Sequence, residues 1–226
     1  MFYYDSSFLL LIPGILLALY AQTLTQSTFA RWSQVQSRTG VTGREVARRI
    51  LDLNGCGHVR VTHVPGTLTD HYDPRSDELR LSDPVYNQRS VAALGVAAHE
   101  AGHAIQQIQD YAPLRIRSAL VPAANIGSAA AMPLFIAGLA FSFPPLVRIG
   151  IYCFGFAVLF SLVTLPVEFN ASGRAIAILN QGGLPEDELR GVRAVLRAAA
   201  LTYIASALQA LLQLARLLLL SRRRDD

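Results

Sequence analysis

Val96-Ala-Ala-His99-Glu100-Ala-Gly-His103-Ala-Ile105 is the stretch on which the reading of this chain turns. Residues four apart share one face of a helix, so His99 and His103 can aim two imidazoles at a single metal ion. Glu100 sits one step round the helix, placed to take a proton from an attacking water without being a ligand itself. This is one half of a zinc hydrolase site. With 5 His and 6 Glu in 226 residues, chance produces the pattern in roughly three shuffled chains per thousand. From Ser90 to Gln109 there is no Pro and Glu100 is the only acidic residue, so one helix can run through the motif. The bland alternative is a buried helix whose two histidines are satisfied by backbone or water.

Around the motif the chain is too apolar to lie wholly in water. It is 52% hydrophobic and 16% charged, against about a quarter charged in a soluble domain, and its mean hydropathy is +0.33. All 20 basic residues are Arg, and the net charge of +4 accompanies no aromatic-interleaved basic patch and no Gly-rich phosphate loop. No nucleic-acid partner is expected. Cys56 stands in a Gly-flanked turn and Cys153 in an apolar segment, so a disulfide framework is not expected and a reducing compartment fits.

A bilayer-spanning helix needs about 20 apolar residues, and four stretches compete. Phe8 to Ala21 is apolar and extends weakly to Leu24, with Tyr3 and Tyr4 as interfacial anchors. It lacks a basic leader and a small-residue cleavage site, which favours an uncleaved anchor. Residues 119–143 and 149–167 carry no charge, and Ser142-Phe-Pro-Pro-Leu-Val147 between them reads as a tight hairpin. Residues 198–215 are uncharged too, but Arg216 and Arg222-Arg223-Arg224 follow. This fourth segment either spans or lies at the interface with Gln209, Gln213 and Arg216 on its wet side. Residues 25–118 hold 11 Arg, and the segment before the first span holds none. The positive-inside bias therefore predicts the N-terminus outside and the polar domain on the cytoplasmic side of a multi-pass protein.

The polar part reads as helix, short strands, then the motif helix. Thr42-Gly-Arg-Glu45 is a capping box, Val46, Ala47, Ile50, Leu51 and Leu53 form an apolar stripe, and Asn54-Gly55 ends it. Residues 58–64 alternate as a strand. Leu68 to Tyr72 and Glu78 to Leu81 flank the turn Asp73-Pro-Arg-Ser-Asp77 and predict a β-hairpin, after which Ser90 caps the motif helix. In hydrolases of this design an edge strand pairs with an extended substrate. Asp70-His71-Tyr72 would then border the cleft, with His71 or Tyr72 near the oxyanion; an ordinary edge strand is the competing reading. His58 and His63 are read as structural.

Catalytic zinc usually takes three protein ligands. Glu168 is the candidate third: it directly follows a 19-residue uncharged span, where a carboxylate is costly and tends to be functional or paired. From His103 to Glu168 the chain crosses the membrane and returns, so both emerge on one side. Helix is expected to continue through Ala171, Ala175 and Ile178. Asn170, Ser172 and Arg174 are placed to orient ligands or to bind a substrate carbonyl. An interfacial Glu168 paired with Arg174 is the alternative.

The motif, with Thr69-Asp-His-Tyr-Asp-Pro-Arg-Ser76, Leu79-Arg-Leu-Ser82, Tyr111-Ala-Pro-Leu114, Arg117-Ser-Ala-Leu-Val-Pro122 and Leu165-Pro-Val-Glu-Phe-Asn-Ala-Ser172, resembles the YugP-type bacterial membrane zinc metallopeptidases over nearly the whole chain. The resemblance implies a neutral zinc peptidase of the bacterial cytoplasmic membrane, with Zn2+ on His99 and His103 and with Glu100 as base. More distantly the chain resembles HtpX-like membrane proteases, whose third ligand is a Glu after a membrane hairpin, a position that Glu168 matches. Those relatives carry Asp four residues later, where this chain has Ser172, so outer-ligand roles do not transfer.

The expected architecture is α+β: a helix-rich, zincin-like catalytic unit fused to a small bundle of transmembrane helices. Its parts are an anchor (1–24), the zincin-like domain (25–118), a transmembrane hairpin (119–167), and a third-ligand helix with a C-terminal membrane or interfacial helix (168–226). The expected partners are a polypeptide substrate, membrane proteins included, and the lipid bilayer. A catalytically silent zinc-stabilised scaffold is the rival; a closed structural site would usually bring a fourth ligand, often Cys, and no Cys lies near the motif. A small transporter is the third reading, and the chain shows no internal repeat to support it.

Overall fold

The computed structural model describes residues 6–222. The expected anchors Tyr3 and Tyr4, and Arg223 and Arg224 of the terminal basic cluster, lie outside them. The chain is mostly helical: α1 (Ile12–Ser33), α2 (Gly43–Leu53), α3 (Asp83–Tyr86), α4 (Val91–Ile108), α5 (Ala112–Ala140), α6 (Pro144–Gln181) and α7 (Glu186–Arg222), with strands β1 (Arg60–Val64), β2 (His71–Asp73) and β3 (Glu78–Ser82). It divides into two compact units. Of the described residues, one comprises 22–114 and 167–201, the other 6–21, 115–166 and 202–222.

In the first unit α2 starts as its capping box requires, with Thr42 accepting from the Glu45 N–H and the Glu45 carboxylate accepting from the Thr42 N–H. Its stripe of Val46, Ala47, Ile50 and Leu51 is buried, whereas Leu53, read as part of that stripe, is exposed. β3 is the central strand, antiparallel to β2 as the turn signal predicts and parallel to β1. Leu79 and Leu81 alternate inward from β3 onto the apolar face of α4. Burying each such side chain contributes about 1.5–3 kcal/mol.

β2 begins at His71 rather than Leu68. Leu68 has φ of 58°, which no extended strand tolerates, and the Asp70 carboxylate accepts from the Ser82 N–H and hydroxyl, each at 2.7 Å. Those bonds pull the chain out of the ladder before it pairs. β2 is therefore a short edge strand.

The motif helix α4 is capped by Ser90, whose hydroxyl accepts from the Ala93 N–H. It is buried along most of its length because α2, the sheet and α6 cover it. α6 comes unusually near. A Cβ on Gly102 would sit 2.9 Å from the Ala171 carbonyl oxygen and 3.3 Å from its Cα, so only glycine lets the two backbones approach this closely. The motif's fourth residue thereby sets the spacing between the two ligand-bearing helices.

In the second unit, α5 and α6 form the expected hairpin. Its link is only residues 141–143, because Pro144 opens α6 at a position where its missing N–H costs nothing. A Cβ on Gly138 would meet the Val147 nitrogen at 2.6 Å, so this hairpin packs backbone to backbone. Among the described residues four helices are long and apolar enough to cross a membrane: Ser7–Ser33, Ala112–Ala140, Pro144–Gln181 and Glu186–Arg222. The 38 residues of α6 extend about 57 Å, well beyond a hydrocarbon core of about 30 Å.

The fourth segment does not present Gln209, Gln213 and Arg216 as a wet side. Gln209 lies against Gly14, Gln213 Nε2 donates to Met132 Sδ at 3.7 Å, and Arg216 Nε donates to Ser7 Oγ at 3.2 Å while its guanidinium covers Phe8. Gln213 and Arg216 thus find hydrogen-bond partners on neighbouring helices, as polar groups must where water is absent, while Gln209 Oε1 is packed against its neighbour without one.

Candidate metal centre

Three side chains converge within the first unit. His99 and His103 share one face of α4, with ring centroids 4.8 Å apart and planes at 85°. Glu168, on α6 in the turn before Ala171, directs Oε2 between them, 3.3 Å from His99 Nε2 and 3.5 Å from His103 Nε2. The carboxylate is 2% exposed, and Oε2 has no hydrogen-bond partner. Both separations exceed a charge-assisted N–H···O bond of about 2.7–2.9 Å. Two donors each about 2.0–2.1 Å from a tetrahedral zinc lie about 3.3–3.4 Å apart, which is the spacing found. A buried, orphaned carboxylate oxygen facing two imidazole nitrogens at that spacing fits a divalent cation. Among the described residues this is the one group of His, Cys, Asp and Glu arranged to hold a metal.

The outer ring nitrogens are tied. Ser172 Oγ lies 3.1 Å from His99 Nδ1, and Gln106 Oε1 lies 3.0 Å from His103 Nδ1. Gln106 Nε2 donates to the Val167 carbonyl at 2.8 Å and to Asn170 Oδ1 at 2.9 Å, and Arg174 Nε donates to the same Asn170 oxygen at 2.7 Å. Arg174 also reaches Gln109 Oε1. Asn170 and Arg174 thus stand behind the ligands, and Arg174 turns its guanidinium to amide oxygens rather than to Glu168.

Glu100 is buried on α4, and its Oε2 accepts the Tyr72 backbone N–H at 3.1 Å. In an antiparallel ladder a residue's N–H and C=O point the same way, so the Tyr72 carbonyl also leaves the free edge of β2 on the Glu100 side. The Tyr72 phenol donates to Asp77 Oδ1; burial, and then that bond, hold it protonated well above the usual phenol range. His71 is exposed, its Nδ1 on the Thr69 carbonyl. The structure therefore brings the main chain of Tyr72 to Glu100 and leaves both side chains bonded elsewhere. His63 bonds Asp83, as a structural histidine would. Burial raises the Asp70 carboxyl above its usual range; the Ser82 bonds oppose that and the nearby Glu100 charge adds to it.

Gln106 is the residue that sequence reasoning missed. The signal was there: a polar side chain one turn after His103, on the face of the helix that carries both histidines. Such a residue has to be paired when buried.

The centre thus pairs two helix-borne histidines with a carboxylate from a second helix, a set that could hold a metal ion. Over residues 7–222 the chain matches the family described as "Putative neutral zinc metallopeptidase", and it belongs to that family. It is also 46% identical over 212 residues, covering 93% of this chain and 94% of the relative, to a Bacillus subtilis (strain 168) protein named "Putative membrane protease YugP". No solved structure matches the chain. The similarity to a membrane protease, taken with four helices suited to crossing a bilayer, makes this a membrane protein.

Proposed function

We propose that the chain is a membrane-embedded, zincin-like peptidase, with zinc held by His99, His103 and Glu168 and with Glu100 as general base. The observation carrying this reading is the orphaned Glu168 oxygen facing two imidazole nitrogens at ligand spacing. Zinc bound there would polarise the scissile carbonyl and lower the pKa of an attacking water towards neutrality. Glu100 takes the proton released in the attack and delivers it to the leaving amine. The Tyr72 N–H holds the Glu100 carboxylate in place meanwhile. An extended polypeptide adds to the free edge of β2, with the Tyr72 carbonyl as its first partner; His71 borders that cleft from solvent. With three donors and no sulfur ligand, the set resembles catalytic rather than closed structural zinc.

The Arg distribution supports placement in the bacterial cytoplasmic membrane with the catalytic side cytoplasmic. Membrane proteins and their flanking segments are then the natural substrates. Exhaustive chelation of the detergent-purified protein should abolish casein cleavage, and one equivalent of Zn2+ should restore it where Mg2+ does not. Full cleavage by protein shown to be metal-free would rule this chemistry out.

A further inference from the structure

We infer that Gln106 is a positioning residue that fixes the tautomer of His103 and locks the two ligand-bearing helices in register; this rests on the zinc reading of the site. The argument starts from Arg174. A guanidinium only donates, so the Asn170 atom it meets at 2.7 Å is the carbonyl oxygen. That oxygen and the Val167 carbonyl are acceptors, so the Gln106 atom facing both is its NH2 group. The other Gln106 atom, 3.0 Å from His103 Nδ1, is then the carbonyl oxygen, and Nδ1 must carry a proton. A neutral His103 consequently presents a bare Nε2 lone pair towards Glu168, the form a metal requires.

Gln106 is completely buried, so water cannot substitute for any of these bonds. Its second donor bond ends on Val167, the residue before Glu168. One side chain therefore sets the orientation of a ligand on α4 and, through the main chain, the position of a ligand on α6. His99 has a hydroxyl partner that can donate or accept, so its tautomer is not dictated in this way.

The test is zinc affinity, measured by competition with a chromophoric chelator in four proteins. These are wild type, Gln106→Met, His103→Ala and the double variant. Gln106→Met keeps the volume and removes the bonds; it should weaken zinc binding about 10–100-fold, the usual effect of losing an outer partner. In the His103→Ala background the same substitution should cost distinctly less, because the part of the effect that runs through His103 is gone and only the hold on Val167 beside Glu168 remains. Asn170→Ala removes one of the acceptors that orient the amide and should weaken zinc in the same direction by less; it decides the matter if Gln106→Met does not fold. Wild-type affinity in Gln106→Met, or in Asn170→Ala where it stands in, overturns the inference while leaving the zinc site intact. An equal loss with and without His103 overturns it as well, by showing a general effect on the fold. A wild-type protein that takes up no zinc overturns both the site and the inference.

Discussion

Glu100→Gln is expected to keep its zinc and lose turnover by about 10²–10⁴-fold, the range for removing a positioned general base. The substitution is nearly isosteric, and the amide oxygen can still accept the Tyr72 N–H that now meets the carboxylate. No ligand is touched, so metal content and thermal stability should match wild type. What disappears is the basic oxygen proposed to take the proton. Metal analysis and casein cleavage on the same preparation separate the two effects. Wild-type cleavage by Glu100→Gln would place the base elsewhere.

Glu168→Ala is expected to lose the metal together with the activity. It deletes the only anionic donor of the three and leaves the two imidazole Nε2 atoms facing no carboxylate. The fall in zinc affinity should exceed the 10–100-fold or so typical of an outer partner. Stability carries an independent readout. Zinc binds the folded chain, so at a hundred times its Kd it should stabilise wild type by about 2.7 kcal/mol, raising Tm. That rise should vanish in Glu168→Ala, whereas the metal-free variant should be no less stable than metal-free wild type, because an orphaned buried carboxylate is itself unfavourable. A Glu168→Ala protein with undiminished zinc affinity would remove this residue from the ligand set.

The parts of this molecule legible in its sequence are those governed by local chemistry. The Thr42–Glu45 capping box, the Ser90 cap and the turn at residues 73–77 each depend on side chains within a few residues of their targets. Long uncharged runs announced the apolar helices for the same reason. Glu168 stands out in the sequence because a carboxylate directly after such a run is anomalous. Harder to read was whatever depends on distant partners. The parallel pairing of β1 with β3 leaves no local mark, since register between separated strands is set by the packed core. The late start of β2 follows from Asp70 bonding Ser82, twelve residues on. Gln209, Gln213 and Arg216 look like a wet helix face until the helices that receive them are known. Gln106 meets its α6 partners more than sixty residues away, and nothing adjacent in the chain announces them.

The most direct measurement of the central claim is zinc K-edge X-ray absorption on the loaded wild-type protein. The account predicts a first shell of nitrogen and oxygen only, at about 2.0–2.2 Å, with two imidazoles per zinc and one of them lost in each of His99→Ala and His103→Ala. Sulfur scattering near about 2.3 Å, or an imidazole count unchanged by those substitutions, would contradict it.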